Sequence, residues 1–142
     1  MIRTFLSISI PDDIRERIAE FQLSMSDKIT GIKWVKPENI HITLKFIGER
    51  KEELVNRIIE DVINRPSTIA KFDMDLSGTG VFPNIKRPRI YWIGINKGKT
   101  ELSGLAADIE NLLEPLGIEK EKRPFKPHIT IGRFRRDSVV SG

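Results

Sequence analysis

The segment His41-Ile-Thr-Leu-Lys-Phe-Ile-Gly48 returns further along the chain as His128-Ile-Thr-Ile-Gly-Arg-Phe134. Each copy opens with strict polar–apolar alternation, the period of a half-buried β-strand. Each also follows a proline: Pro37 lies four residues upstream of the first copy, and Pro127 directly before the second. Internal similarity at this separation predicts two related half-units, each built around one such strand, and excludes a solenoid of short repeats.

Hydrophobic periodicity supplies the elements between them. Thr4 to Ile10 alternates as a strand, and Pro11-Asp12-Asp13 opens a helix that carries Ile14, Ile18, Phe21 and Met25 at helical spacing. Gly31 to Lys36 predicts a short strand, Pro37-Glu38-Asn39 a turn, and Ile40 to Ile47 a strand of strong β character. Glu52 to Asn64 predicts a helix with Leu54, Ile58 and Val62 on one stripe, ending near Pro66. Phe72, Met74 and Leu76 alternate with Asp73, Asp75 and Ser77 as a half-buried strand, whereas Gly78, Gly80, Pro83 and Pro88 predict a long turn. Arg89 to Ile95 is a further strand. Thr100 to Leu116 is a third helix with Leu102, Leu105, Ile109, Leu112 and Leu116 inward, closed by Gly117, and Phe125 to Phe134 is the last strand. The order β-α-β-β-α-β-β-α-β with short connections predicts an α+β fold with mostly antiparallel pairing. The 142 residues show no linker-like stretch, so residues 1–142 are expected to form a single domain.

The absence of cysteine excludes a disulfide framework, thiolate metal sites and a cysteine nucleophile, and it fits a reducing cytoplasm. No apolar run approaches the length of a membrane span, and the N-terminal stretch alternates and stops at Pro11-Asp12-Asp13, as a strand does and a signal peptide does not. Lys and Arg outnumber Asp and Glu by 24 to 20. The surplus is clustered. Asn84 to Lys99 holds Lys86, Arg87, Arg89, Lys97 and Lys99 without an acid, and Lys120 to Arg136 adds seven bases against Glu121 alone. Basic segments close to Phe82, Tyr91, Trp92 and Phe125 suit a phosphate-bearing partner such as a nucleic acid.

Two histidines occur in the chain, His41 and His128, and both sit in the repeat. Residues two apart on a strand share a face, so His41 projects with Thr43, and His128 with Thr130, while Ile42, Leu44, Ile129 and Ile131 turn to the core. No third histidine and no His-Glu-x-x-His helix points to a metal. No Gly-x-Ser-x-Gly points to a serine nucleophile, and Gly78-Thr-Gly80 lacks the phosphate-loop pattern. Two imidazoles without a metal suit acid–base catalysis, because a reference pKa near 6.5 lets one ring be neutral and the other protonated. In-line displacement at phosphorus needs those two roles on opposite sides of the phosphate, and the threonine hydroxyls can donate to its non-bridging oxygens. A cyclic phosphodiester suits such a site, since its strained ring opens without a divalent ion.

At these residues the chain resembles the two-histidine (2H) phosphoesterases, and within them the RNA 2′,3′-cyclic phosphodiesterases, also called 2′-5′ RNA ligase-like proteins. The resemblance rests on His41-Ile-Thr-Leu and His128-Ile-Thr-Ile, on Lys33-Trp34-Val35, Pro37-Glu38-Asn39 and Lys45-Phe46-Ile47-Gly48, and on Gly80-Val-Phe-Pro83, Trp92-Ile-Gly94 and Phe125-Lys-Pro-His128. It runs from about Arg3 to Phe134. It implies a bilobal fold of two small antiparallel sheets with outer helices around a central cleft. It also implies hydrolysis of an RNA or nucleoside 2′,3′-cyclic phosphate to a 2′-phosphomonoester, with no metal cofactor; no other cofactor and no membrane partner is expected. By position His41 is then the proton donor to the leaving 3′ oxygen, His128 the base for water, and Thr43 and Thr130 the phosphate ligands.

Arg133 corresponds in this resemblance to a substrate-contacting arginine. Strict alternation turns it away from His128, but Gly132 just before it is the kind of residue that marks a bulge and re-aims its neighbour. Phe46 is a candidate for base stacking by resemblance, although parity places it with Leu44 in the core. Parity also places Lys45 beside His41 and Thr43, where it either raises the local positive potential or is simply solvated. The resemblance further implies another helix and strand pair after the second copy, so the second lobe is expected to be incomplete at the C-terminus. Two other readings accompany hydrolysis: the reverse reaction, which joins ends in a 2′-5′ linkage, and a non-catalytic module that binds a nucleotide or RNA.

Overall fold

The computed structural model describes residues 1–65 and 72–135. Among them, strands and helices follow the expected order: β1 (Ile2–Ser9), α1 (Asp12–Ser26), β2 (Ile32–Trp34), β3 (His41–Arg50), α2 (Glu52–Ile58), β4 (Leu76–Phe82), β5 (Ile90–Ile95), α3 (Lys99–Leu113) and β6 (His128–Phe134). The fold is α+β. A wider, π-type turn extends α2 over Ile59–Ile63. A 3-10 turn over Glu114–Leu116 ends α3, where Gly117 takes the left-handed conformation at φ 86° that closes a helix cheaply. Pro66, expected to mark the end of the second helix, and the residues after Arg135 lie outside the described residues.

The chain divides into two compact units. The first comprises Met1–Ser7, Thr43–Asp75 and Lys97–Pro127, and its buried apolar residues include Leu44, Ile47, Ile58, Leu102, Ala106, Ile109, Leu113 and Ile118. The second comprises Ile8–Ile42, Leu76–Asn96 and His128–Gly142, and it buries Ile18, Ile40, Ile42, Tyr91, Ile93, Ile129 and Ile131. β1 pairs with β3 in a two-stranded sheet, while β2, β6, β5 and β4 lie in that order in a four-stranded antiparallel sheet.

Several expectations are corrected. β4 begins at Leu76, so Phe72 to Asp75 form no strand. Instead the Asp75 carboxylate accepts the Lys97 amide at 2.7 Å, a local bond that competes with extension. Gly78 and Gly80, expected in a turn, belong to β4. A side chain at Gly80 would run into the Trp92 indole lying against it, so this glycine marks a close approach within a strand. On α3 the buried stripe is Leu102, Ala106, Ile109 and Leu113, displacing Leu105, Leu112 and Leu116 from the deepest positions.

β3 also departs from strict alternation. Ile42 and Leu44 are buried, and then Lys45 and Ile47 are buried while Phe46 is 57% exposed. Phe46 is therefore not a core residue, and the Arg3 guanidinium sits 5.5 Å from its ring centroid in a cation–π contact. Nor is Lys45 a solvated lysine. Its ammonium lies 2.8 Å from Glu110 Oε1 on α3 and donates to the Glu119 carbonyl at 2.9 Å. Glu110 Oε2 in turn accepts the Glu121 amide at 3.0 Å, so the charge pair is embedded in further hydrogen bonds. Lys45→Ala, which leaves the Glu110 carboxylate on α3 without its cation, is expected to lower stability by about 3 kcal/mol in urea unfolding. The double change Lys45→Met/Glu110→Leu should recover most of that loss; a single variant as stable as the parent would show the pair to be inert.

Candidate active site

The second copy of the repeat folds as β6 between β2 and β5. Against β2 its register is regular, with Ile32 opposite Phe134, Lys33 opposite Arg133 and Trp34 opposite Gly132. Against β5 it slips by one residue: Tyr91 lies opposite Gly132, but Trp92 lies opposite Thr130. Ile131 is the extra residue of this β-bulge, and it reverses the side on which later residues emerge. Burial follows the reversal. His128 and Thr130 are half-buried between the buried Ile129 and Ile131, Gly132 is buried next, and Arg133 is exposed before the buried Phe134. Arg133 thus emerges on the His128 and Thr130 side, which an unbroken strand forbids. Gly132 has no room for a side chain, because a Cβ there would strike Ile32 and press on Trp34.

His128 is held from β4. The Phe82 ring meets the imidazole at 85° with centroids 5.2 Å apart, and Phe82 leans on Trp92 at the same centroid distance. Edge contacts of this kind help to fix the orientation of a ring. His41 opens β3 directly after the 3-10 turn Pro37–Asn39. It stands half-buried, and its pKa lies below the ordinary histidine value. Burial is the main cause, and the positive charges of Arg133 and Arg15 lower it further, against a raising hydrogen bond that the imidazole donates to the Asn39 backbone. Arg15, on α1, donates through Nη2 to the carbonyls of Ile10 at 3.1 Å and Ile40 at 3.5 Å, and its buried Nε has no hydrogen-bond partner.

His41, His128, Thr130 and Arg133 all belong to the second compact unit. Thr43 is exposed, on the His41 side of β3, and it begins the first unit's share of that strand. The emergence of Arg133 on the His128 side of β6 is predictable only through Gly132. Arg15 carried no signal at all, since helical spacing alone does not say which neighbouring strand a side chain reaches. In the sequence Phe82 reads as an aromatic near basic residues, not as the support of His128. Among the described residues no group of three or more His, Cys, Asp or Glu can hold a metal ion, and no helix is long and apolar enough to cross a membrane.

Comparison with known proteins identifies the family. The family model described as LigT like Phosphoesterase matches residues 8–92 and 93–139. An RNA 2′,3′-cyclic phosphodiesterase of Archaeoglobus fulgidus is 39% identical over 135 residues, 95% of this chain and 74% of its own length. One from Methanocaldococcus jannaschii is 40% identical over 134 residues, 94% of this chain and 72% of its own. Among solved structures, a Thermus thermophilus protein superposes with TM-score 0.80 at 30% identity, covering 99% of this chain and 81% of that one. Escherichia coli LigT complexed with 3′-AMP gives TM-score 0.73 at 26% identity, covering 99% and 75%.

The depressed pKa of His41 has a definite sign. The unfolded chain takes up a proton on this residue more readily than the folded one, so His41 favours folding above about pH 6.5 and loses that contribution on acidification. In an NMR titration of the imidazole signals, His41 is expected to titrate below that value, and Arg133→Ala to move its midpoint upward. A midpoint unchanged in that variant would remove Arg133 from the neighbourhood of His41.

Proposed function

The chain belongs to the LigT-like phosphoesterase family, and from that premise we propose that it hydrolyses 2′,3′-cyclic phosphate ends of RNA or nucleotides to 2′-phosphomonoesters. The observation that supports this reading best is the β6 bulge, which brings an arginine to the side of the strand that carries His128 and Thr130 and within electrostatic reach of His41. A cyclic phosphodiester is a monoanion, and a guanidinium on the side of β6 that carries His128 complements both its charge and its paired oxygens.

In the proposed reaction a water oxygen attacks phosphorus as His128 removes its proton. The bond from phosphorus to O3′ breaks, and His41 delivers a proton to that oxygen, leaving a 3′-hydroxyl and a 2′-phosphate. Thr43 and Thr130 donate to the non-bridging oxygens, and Arg133 balances the charge that grows on them. The state of His41 fits a donor that is loaded by its substrate. In the free protein, burial and two guanidinium charges favour the neutral ring. A bound phosphate offsets those charges, and the ring then holds the proton that the leaving oxygen needs. No step calls for a metal.

Nucleoside 2′,3′-cyclic phosphates are expected to be hydrolysed in excess EDTA with a bell-shaped pH dependence, and phosphorus NMR should identify the 2′ ester as product. His41→Ala and His128→Ala should each lower kcat by about 100- to 10,000-fold while circular dichroism remains that of the parent. Either variant turning over at the parent's rate would rule out the two-histidine mechanism.

A further inference from the structure

Position 22 lies on the buried side of α1, where an aliphatic residue would cover the sheet at less cost in desolvation. It is a glutamine, 6% exposed. Its side-chain amide spends its protons on the sheet: Nε2 donates to the carbonyl of Ile131 at 2.9 Å and to that of Val35 at 2.9 Å. Ile131 is the inserted residue of the β6 bulge, and Val35 is the first residue past the end of β2. The Val35 amide also donates to the Ile131 carbonyl, at 3.0 Å, so that oxygen accepts two hydrogen bonds and its lone pairs are filled. One amide therefore ties the bulged residue of the central strand to the end of its neighbour and anchors both to α1.

We infer that Gln22 is a positioning residue for the phosphate-binding arginine: its amide fixes the bulge at Ile131, and the bulge aims Arg133. The inference rests on the proposed reading of Arg133 as a phosphate ligand. Two features connect the amide to Arg133 and not merely to stability. The bonded carbonyl is two residues before Arg133, and the register slip that re-aims the arginine occurs at that same residue. The alternative to a fixed bulge is a strand in plain register, and in it Arg133 returns to the opposite face.

The test is a double-mutant cycle on the full chain, with Gln22→Met and Arg133→Ala, measuring KM for a nucleoside 2′,3′-cyclic phosphate. Methionine keeps the length of the side chain and removes the amide. Gln22→Met is expected to raise KM by about tenfold, the loss of one charge-assisted contact. In the Arg133→Ala background the same change should alter KM by less than about twofold, because the interaction it serves is already gone. In the single variant the NMR midpoint of His41 should also move upward, as it does in Arg133→Ala; a purely structural glutamine would lower the melting temperature and leave that midpoint in place. If Gln22→Met does not fold, Gln22→Asn, which retains the amide one methylene short, enters the cycle in its place. A tenfold rise in KM that persists in the Arg133→Ala background overturns the inference alone. An Arg133→Ala variant with unchanged KM overturns the reading of Arg133 and the inference with it.

Discussion

Residues an odd number of positions apart on a regular strand emerge on opposite sides, and His128 and Arg133 are five apart. Bringing both to one side needs a single change of phase, and the structure makes it at Ile131, where β6 carries one residue more than β5. Much of the second unit is arranged around that change. Gly132 leaves room for Ile32 and Trp34, Tyr91 stands opposite it with Trp34 and Phe134 packed edge-on, and Gln22 ties the bulged carbonyl to β2. A bulge increases local twist and disrupts the ladder, so it persists only where neighbours fit its shape. Here the neighbours include a glycine, three aromatic side chains and a buried amide.

The first copy of the repeat passes through a similar change of phase with different occupants. In β3 the burial pattern shifts at Leu44 and Lys45, as it shifts in β6 at Ile131 and Gly132. The next residue in each strand is exposed: Phe46 five places after His41, and Arg133 five places after His128. One strand thus offers a flat aromatic ring where the other offers a guanidinium. The residue just before is handled differently too. β6 uses a glycine under close packing, and β3 uses a lysine that reaches Glu110. The two strands share a burial pattern and fill it with different side chains.

The order of elements was legible because each helix and strand repeats its apolar residues at its own period, and the sides taken by His41, Thr43, His128 and Thr130 followed from parity alone. Parity then misplaced Phe46 and Lys45, because it assumes an unbroken strand and nothing in Leu-Lys-Phe announces a shift. Gly132 did announce one for Arg133, since a glycine inside an apolar strand usually answers a local crowding. The glycines of β4 were misread for the complementary reason: Gly80 makes space for the Trp92 indole on the neighbouring strand, a need that exists only once the two strands are paired. Gln22 and Arg15 stayed hidden because polar residues on a helix are read as solvent-facing, and only the fold puts carbonyls of other segments within their reach.

The two classes of charge in this molecule differ in their exposure to dissolved salt. The Lys45 ammonium meets Glu110 in a setting almost closed to water, where mobile ions have little access and screening is weak. Arg133 is open to solvent, as are the lysines and arginines around residues 86–99, and their attraction for an anion decays over a Debye length of about 8 Å at physiological ionic strength. Rising salt therefore weakens the pull of these exposed bases on any anion well before it reaches the pair that anchors β3 to α3. The surface potential becomes adjustable by the medium, while the strand that carries His41 and Thr43 stays where the chain put it.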